Sequence, residues 1–223
     1  MLFVPPTPLY ALVLTHIGDG LKVPHTEVLD LKGDLTLEAW IKPHSADNGG
    51  PFHFIVSKNY GGTGYALLLI GKGDNVRLQF EATDTVAYAI PMHVLSGHWW
   101  HVAGVYRGKK DISLYVNGVA VASHPTQSEL QPSPLPLYIG TSPWDSFDGA
   151  IADVRLWRTP RTQEQIVEDM SSAPEPNNAD LVAAWNFKTV ARGRSYDLTH
   201  HTRPAEVQGA PQRIVERRRA SRG

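Results

Sequence analysis

Ile112-Ser113-Leu114-Tyr115-Val116-Asn117-Gly118-Val119-Ala120-Val121 decides how the rest of the chain is read. Two runs rich in β-branched and aromatic residues flank an Asn-Gly pair. Asn-Gly readily takes the positive φ angles of a two-residue type I′ turn, so the stretch reads as a β-hairpin. The same texture continues on both sides: short runs of Val, Ile, Leu, Tyr and Trp broken by Gly, Pro, Asn and Asp. Strands are expected at 10–14, 35–42, 54–58, 65–70, 76–81, 86–90, 99–106, 112–116, 119–123, 137–139, 150–157, 181–187 and 205–207, each of ordinary strand length. Within Leu35-Thr36-Leu37-Glu38-Ala39-Trp40-Ile41-Lys42 the odd positions are apolar and Trp40 breaks the rule. That alternation predicts a strand with one buried face. Helical periodicity is nearly absent, which makes the chain all-β.

One exception is Thr162-Gln163-Glu164-Gln165-Ile166-Val167-Glu168-Asp169-Met170. A capping threonine followed three residues on by Gln165 makes a capping box available, so a short helix is predicted, its few apolar residues laid against a sheet edge. From Arg213 to Gly223 there are five arginines and one glutamate. With so little apolar content, 212–223 is expected to be a disordered basic tail and 1–211 a single domain.

The 223 residues, 42% hydrophobic and 19% charged, suffice for one β-sandwich with a full core. A formal charge of −1 provides no global field for nucleic acid or an anionic membrane. The absence of cysteine excludes disulfides, thiolate metal sites and cysteine nucleophiles. No stretch is long enough to span a bilayer as a helix, and prolines interrupt the apolar run after Met1 where a signal helix would lie. The chain is therefore expected to be soluble, either cytoplasmic or secreted non-classically, or extracellular after loss of a leader.

Catalysis finds little support in the residues. Glycoside hydrolysis needs two carboxyls within about 5–10 Å. Glu81 and Asp84 are three apart on a predicted strand and so project to opposite faces, and Glu38 has no acidic neighbour at i±2. Asp145 and Asp148 lie in a loop where their geometry is open. No nucleophile elbow, phosphate loop or zinc-type His-Glu-x-x-His appears. His200-His201 point apart in an extended segment, and the other histidines, His101 among them, read as structural or surface residues. Trp40, Trp99, Trp157 and Trp185 sit in strand patterns and read as core. Trp144, after a proline in a polar loop, is either a stacking platform for a sugar ring or a cover for a sheet edge.

Three ordered stretches carry a family resemblance. They are 18–24 with 34–43; 98–106 running into the hairpin; and 137–140 with 147–157, the helix and 181–187. Together they resemble the laminin-G-like/pentraxin-like domains of the concanavalin A-like lectin/glucanase superfamily. The resemblance implies a jelly-roll sandwich of two antiparallel sheets with one short helix, and binding in preference to catalysis, so no catalytic residues are named. It also implies calcium as a cofactor, held by Asp19 with Asp153, or at the rim by Asn59 with Asp145. The ligand-binding candidates are Asn59, Tyr60, Trp144, Asp145 and Asp148. The leading expectation is a lectin-like module for glycans or glycoconjugates, with a homo-oligomer raising avidity. The alternatives are a laminin-G-type protein-interaction or adhesion module without sugar binding and, third, a glycoside hydrolase. No nucleic-acid partner is expected.

Overall fold

The computed structural model describes residues 9–44, 50–60, 62–83, 85–88, 97–143 and 145–216. Seventeen strands lie among them. In chain order they are β1 (Leu9–Leu14), β2 (Gly20–Val23), β3 (Leu35–Pro43), β4 (Phe52–Tyr60), β5 (Thr63–Ile70), β6 (Arg77–Ala82), β7 (Thr85–Tyr88), β8 (Trp100–Arg107), β9 (Asp111–Val116), β10 (Val119–Pro125), β11 (Leu137–Ile139), β12 (Gly149–Trp157), β13 (Leu181–Trp185), β14 (Val190–Ala191), β15 (Arg194–Ser195), β16 (Ala205–Gln208) and β17 (Gln212–Glu216). Helix α1 (Gln163–Asp169) follows β12. An eight-stranded antiparallel sheet runs β10-β9-β8-β3-β12-β1-β17, with β13 also on β12, and a nine-stranded one runs β14-β15-β16-β2-β11-β4-β5-β6-β7. The main core lies between them, with Leu12, Leu37, Ile41, Val102 and Ile151 from one sheet meeting Leu21, Val56, Leu67, Phe80 and Ile139 from the other. This is the jelly-roll sandwich the sequence implied. No helix among the described residues is long and apolar enough to cross a membrane.

The hairpin forms as read. Asn117 and Gly118 both have positive φ, 49° and 75°, and Asn117 also bridges to β8, accepting from the His101 N–H at 2.9 Å. Gly118 is required on a second count, because a Cβ there would lie 2.5 Å from Val167 on α1. The capping box is present: Thr162 Oγ1 accepts from the Gln165 N–H at 3.3 Å and Gln165 Oε1 accepts from the Thr162 N–H at 2.9 Å.

Several expectations need correction. β3 is buried on both faces, not one. Its outward Trp40 packs with Leu9, Ala11, Ala150, Ala152 and Met170. Helix α1 lies over the face of the eight-stranded sheet instead of its edge, Ile166 settling on Ala103, Val105 and Tyr115. Of the tryptophan pair, Trp100 stands opposite Ile41 and packs on the inter-sheet core, while Trp99 joins the outer Trp40 cluster. The basic segment starting at 212 is not all tail. Gln212–Glu216 pairs with β1, Ile214 opposite Ala11 against that same outer cluster, and the Arg213 guanidinium 5.8 Å from the Tyr10 ring centre. One well-placed isoleucine and a ring to lie on outweigh the charged composition; residues 217–223 lie outside the described residues.

Two buried charges tie loops to strands. The Lys58 side chain is fully buried and donates to Asp30 Oδ1 at 2.9 Å and to the Ser133 carbonyl, clamping the loops at 30 and 133 onto β4. On the other sheet Arg155 is held by both oxygens of Asp153, at 3.1 and 2.6 Å, and by Asp169 of α1 at 3.3 Å. Arg161, stacked 4.1 Å over Trp157, binds the same Asp169 through Nε and Nη2. Burial, together with the nearby Glu38 charge, pushes Asp169 up to about 6 despite the two arginines.

Lys58→Met is expected to lower stability by about 1–3 kcal/mol, since it strands a carbonyl and a partly buried carboxylate; urea unfolding of Lys58→Met against Lys58→Met/Asp30→Asn should show part of the loss recovered. Because Asp169 takes up its proton more readily folded than unfolded, it adds stability as pH falls from about 7 toward 4. The urea midpoint of the wild type should therefore rise relative to Asp169→Asn between pH 7.5 and pH 5.

Candidate functional site

On β4 the outward side chains run Phe52, Phe54, then, past a bulge, Ser57 and Asn59. Phe52 is 40% exposed and stacks with Phe54 at 6.1 Å between ring centres. Phe54, Ala66 and Leu68 close into a small apolar cluster on this outer face. At the other end of the strand the surface turns polar. Ser57 Oγ donates to Asn59 Oδ1 at 2.9 Å, Asn59 Nδ2 donates to Glu81 Oε2, and Gln79 Nε2 donates to Glu81 Oε1. Burial raises the Glu81 pKa, against the pull of the two amide donors. Gln79 Oε1 is buried and accepts no hydrogen bond from the described residues. Half-buried Tyr138 of β11 stands opposite Ser57.

The result is a fixed chain of amide, hydroxyl and carboxylate groups on the outer side of the sheet, beside a buried apolar cluster, with Asn59, Glu81 and Tyr138 half-buried and Ser57 and Gln79 almost wholly covered. An amide offers donors and acceptors together, and a carboxylate offers acceptors only. Such a set suits a ligand that presents hydroxyls on one side and C–H groups on the other.

The residues named from the sequence fall in several places. Asn59 belongs to this network. Tyr60 is the last residue of β4, its side chain outside what is described, and Trp144 lies outside the described residues. Asp145 is at the far end of β4: its carboxylate accepts from the Gly50, Phe52 and Ser146 N–H groups at 3.2, 3.3 and 3.0 Å. Seven residues of strand, about 20 Å, therefore separate it from Asn59, and the two do not share a site. Asp148 is paired with His44 Nδ1 at 3.3 Å. Asp19 accepts from the Thr15, His16 and Ala210 N–H groups at 3.2, 3.0 and 2.9 Å. Its turn leaves β1 beyond Leu14, which pairs with Gly149, whereas Asp153 lies four residues further along β12 and is taken up by Arg155. The structure does not bring Asp19 and Asp153 together.

These surroundings do not fit calcium. A calcium site needs six to eight oxygens facing the ion, but Asp19 and Asp145 are ringed by N–H donors and Asp153 by a guanidinium. Among the described residues no three acidic or histidine side chains are grouped for a metal.

Sequence reasoning missed Ser57, Gln79, Glu81 and Tyr138. A partial signal was present: Gln79 and Glu81 are two apart on a predicted strand and must share a face. Their link to Asn59 depends on the pairing of β4, β5 and β6, which no local pattern states.

A laminin G family model, described as the concanavalin A-like lectin/glucanases superfamily, matches residues 15–167. Pappalysin-1 of Mus musculus is 38% identical over 84 residues, 35% of this chain and 5% of that protein, so only a small part of the relative is matched. Among solved structures, a Bacteroides ovatus protein to which carbohydrate binding is ascribed aligns with a TM-score of 0.73 at 21% identity, over 93% of this chain and 60% of that one. A heptameric SAP-like pentraxin from Limulus polyphemus aligns at 0.62 with 17% identity over 96% of both chains. Domain 4 of the arabinanase AbnA from Geobacillus stearothermophilus, solved with arabinotriose, aligns at 0.51 with 19% identity over 68% of this chain and 72% of that one. At these identities the solved structures speak for the fold, and with the family match over most of its length the chain belongs to the concanavalin A-like lectin/glucanases superfamily as a laminin G-type domain.

Proposed function

We propose that this chain is a glycan-binding module whose site is the outward face of the nine-stranded sheet, centred on Asn59, Gln79 and Glu81. The observation that carries the reading is the side-chain chain Ser57–Asn59–Glu81–Gln79, held across paired strands beside half-buried Tyr138. Hydroxyls of a sugar exchange water for the donors and acceptors of Asn59 and Glu81, while its C–H face lies against the Tyr138 ring. Ser57, Gln79 and Ala66 are almost wholly buried, so a sugar meets the network only at half-buried Asn59 and Glu81, and so small a contact keeps affinity per site between millimolar and micromolar. Carbohydrate binding ascribed to the Bacteroides ovatus protein, and arabinotriose on the arabinanase domain, are in keeping with it.

The reading is binding without turnover and without calcium. On the outward face the nearest other carboxylate in the Glu81 row, among the described residues, is Glu206 on β16, five strands from β6. At the spacing of paired strands that is roughly 24 Å, far beyond the reach of a two-carboxyl hydrolysis.

A glycan array tests the proposal. Asn59→Ala and Glu81→Ala should each weaken the strongest signals at least tenfold with unchanged melting temperature, and excess chelator should change nothing. Loss of signal in chelator would overturn calcium independence. Silence across the array would overturn sugar binding and favour a laminin-G-type protein-interaction module.

A further inference from the structure

A cavity of about 260 Å³ opens at the other sheet, between the end of β12, helix α1 and the loop that follows it. Trp157, Arg161, Gln165, Glu168, Asp169 and Glu175 are among the residues that wall it, and it has room for an extended side chain. Its floor is internally balanced. Arg161 lies on the Trp157 ring and neutralises Asp169, while Arg155 behind them is matched by Asp153. Glu168 and Glu175 are exposed, and neither pairs with a cation among the described residues. The walls therefore hold two carboxylates in search of positive charge. Among the described residues no three acidic or histidine side chains are grouped for a metal, so these separated carboxylates suit separated organic cations.

A matching set of cations stands in the same chain. Arg217-Arg218-Arg219-Ala220-Ser221-Arg222-Gly223 has four arginines and no acidic residue. The fold aims it at the cavity. β1 is antiparallel to both β12 and β17, so β17 runs in the direction of β12, whose last residue, Trp157, lines the cavity. Glu216 closes β17 opposite Leu9. Leu9 belongs to the same outer cluster as Met170, which caps α1 immediately after Glu168 and Asp169. Seven residues of chain extend to about 24 Å, several times the roughly 4.8 Å between neighbouring strands, which is ample to reach the cavity from Glu216.

We propose that this cavity is a binding site for arginine side chains and that its occupant is the segment 217–222 of the same chain. Glu168 and Glu175 accept charge-assisted hydrogen bonds from the guanidinium groups. The short connection to β17 keeps the local concentration of arginine high, so contacts that are individually weak suffice. Being electrostatic and open to solvent, the contact loosens as salt rises.

The chain has no cysteine, so Ser221→Cys accepts a single nitroxide label on the whole protein. In amide NMR spectra at low salt the label is expected to weaken the Glu168, Ser172 and Glu175 signals at least twofold more than those of Gly73 and Asn75 on the other sheet. That contrast should vanish at about 0.5 M salt and in Glu168→Gln/Glu175→Gln, whose melting temperature should be unchanged because both residues are exposed. In a second arm the free peptide Arg-Arg-Arg-Ala-Ser-Arg is titrated into the Arg217→Ser/Arg218→Ser/Arg219→Ser variant by calorimetry. It should bind there at least fivefold more tightly than to the wild type, whose site is filled, and lose that binding when the two glutamines are added. Equal peptide binding to both chains, with no contrast from the label, would overturn segment 217–222 as the occupant and keep the arginine site. Absence of both contrast and peptide binding, or indifference of both to the two glutamines, would overturn the site itself.

Discussion

Arg155 sits in the middle of the sandwich's eight-stranded sheet with only 2% of its surface exposed, and a guanidinium cannot shed its charge to suit its surroundings. The outer side of that sheet is arranged around this constraint. Asp153 takes the left-handed conformation, with φ of 47°, where β12 shifts register, and covers one edge of the guanidinium. Asp169 comes from α1 and the Ser172 carbonyl from the turn after it. Glu38 adds negative charge from β3, itself anchored by the Trp157 indole N–H at 2.7 Å, with His101 Nε2 3.4 Å from its other oxygen. Helix α1 is thus fixed over the sheet by charge as well as by Ile166 and Met170. Much of the back of the eight-stranded sheet is consequently closed by protein.

The nine-stranded sheet meets a different constraint. Its inner face is apolar apart from Lys58, while its outer face pairs polar groups with one another. Ser57, Asn59, Gln79 and Glu81 bond to one another on the side away from the inter-sheet core, Ser57 and Gln79 almost wholly buried. That contrast, one sheet backed by a helix and the other carrying a preset polar network on its outer side, is what directs the functional reading to β4, β5 and β6.

How much of this was legible in the sequence depended on distance along the chain. The Asn117-Gly118 turn and the Thr162–Gln165 capping box are local chemistry, and both appear as read. Strands with clear alternation were found to within a few residues, but β2, β14, β15 and β17 are short or charged and owe their existence to partners elsewhere in the chain. Asn59 was identified with the wrong companions, because a loop that precedes β12 in sequence meets β4 at Phe52, not at Asn59. The metal reading of the Asp19 and Asp145 carboxylates came from the family resemblance; the surrounding N–H groups, brought together by the fold, fasten turns on them. Glu38 looked isolated at i±2, yet its company comes from β8, β12 and α1.

The nine-stranded sheet pairs Lys22 with Glu206 and Glu206 with Arg194, so it draws on almost the whole length of the chain. During synthesis the Asn59–Glu81 centre has its side chains available early, but β2 lacks its neighbour on one side until β16 has been made. Pairings this distant in sequence form late and slowly. One edge of the nine-stranded sheet is therefore the last part of the sandwich to close, and a chain cut short before β16 would leave β2 with an unpaired edge.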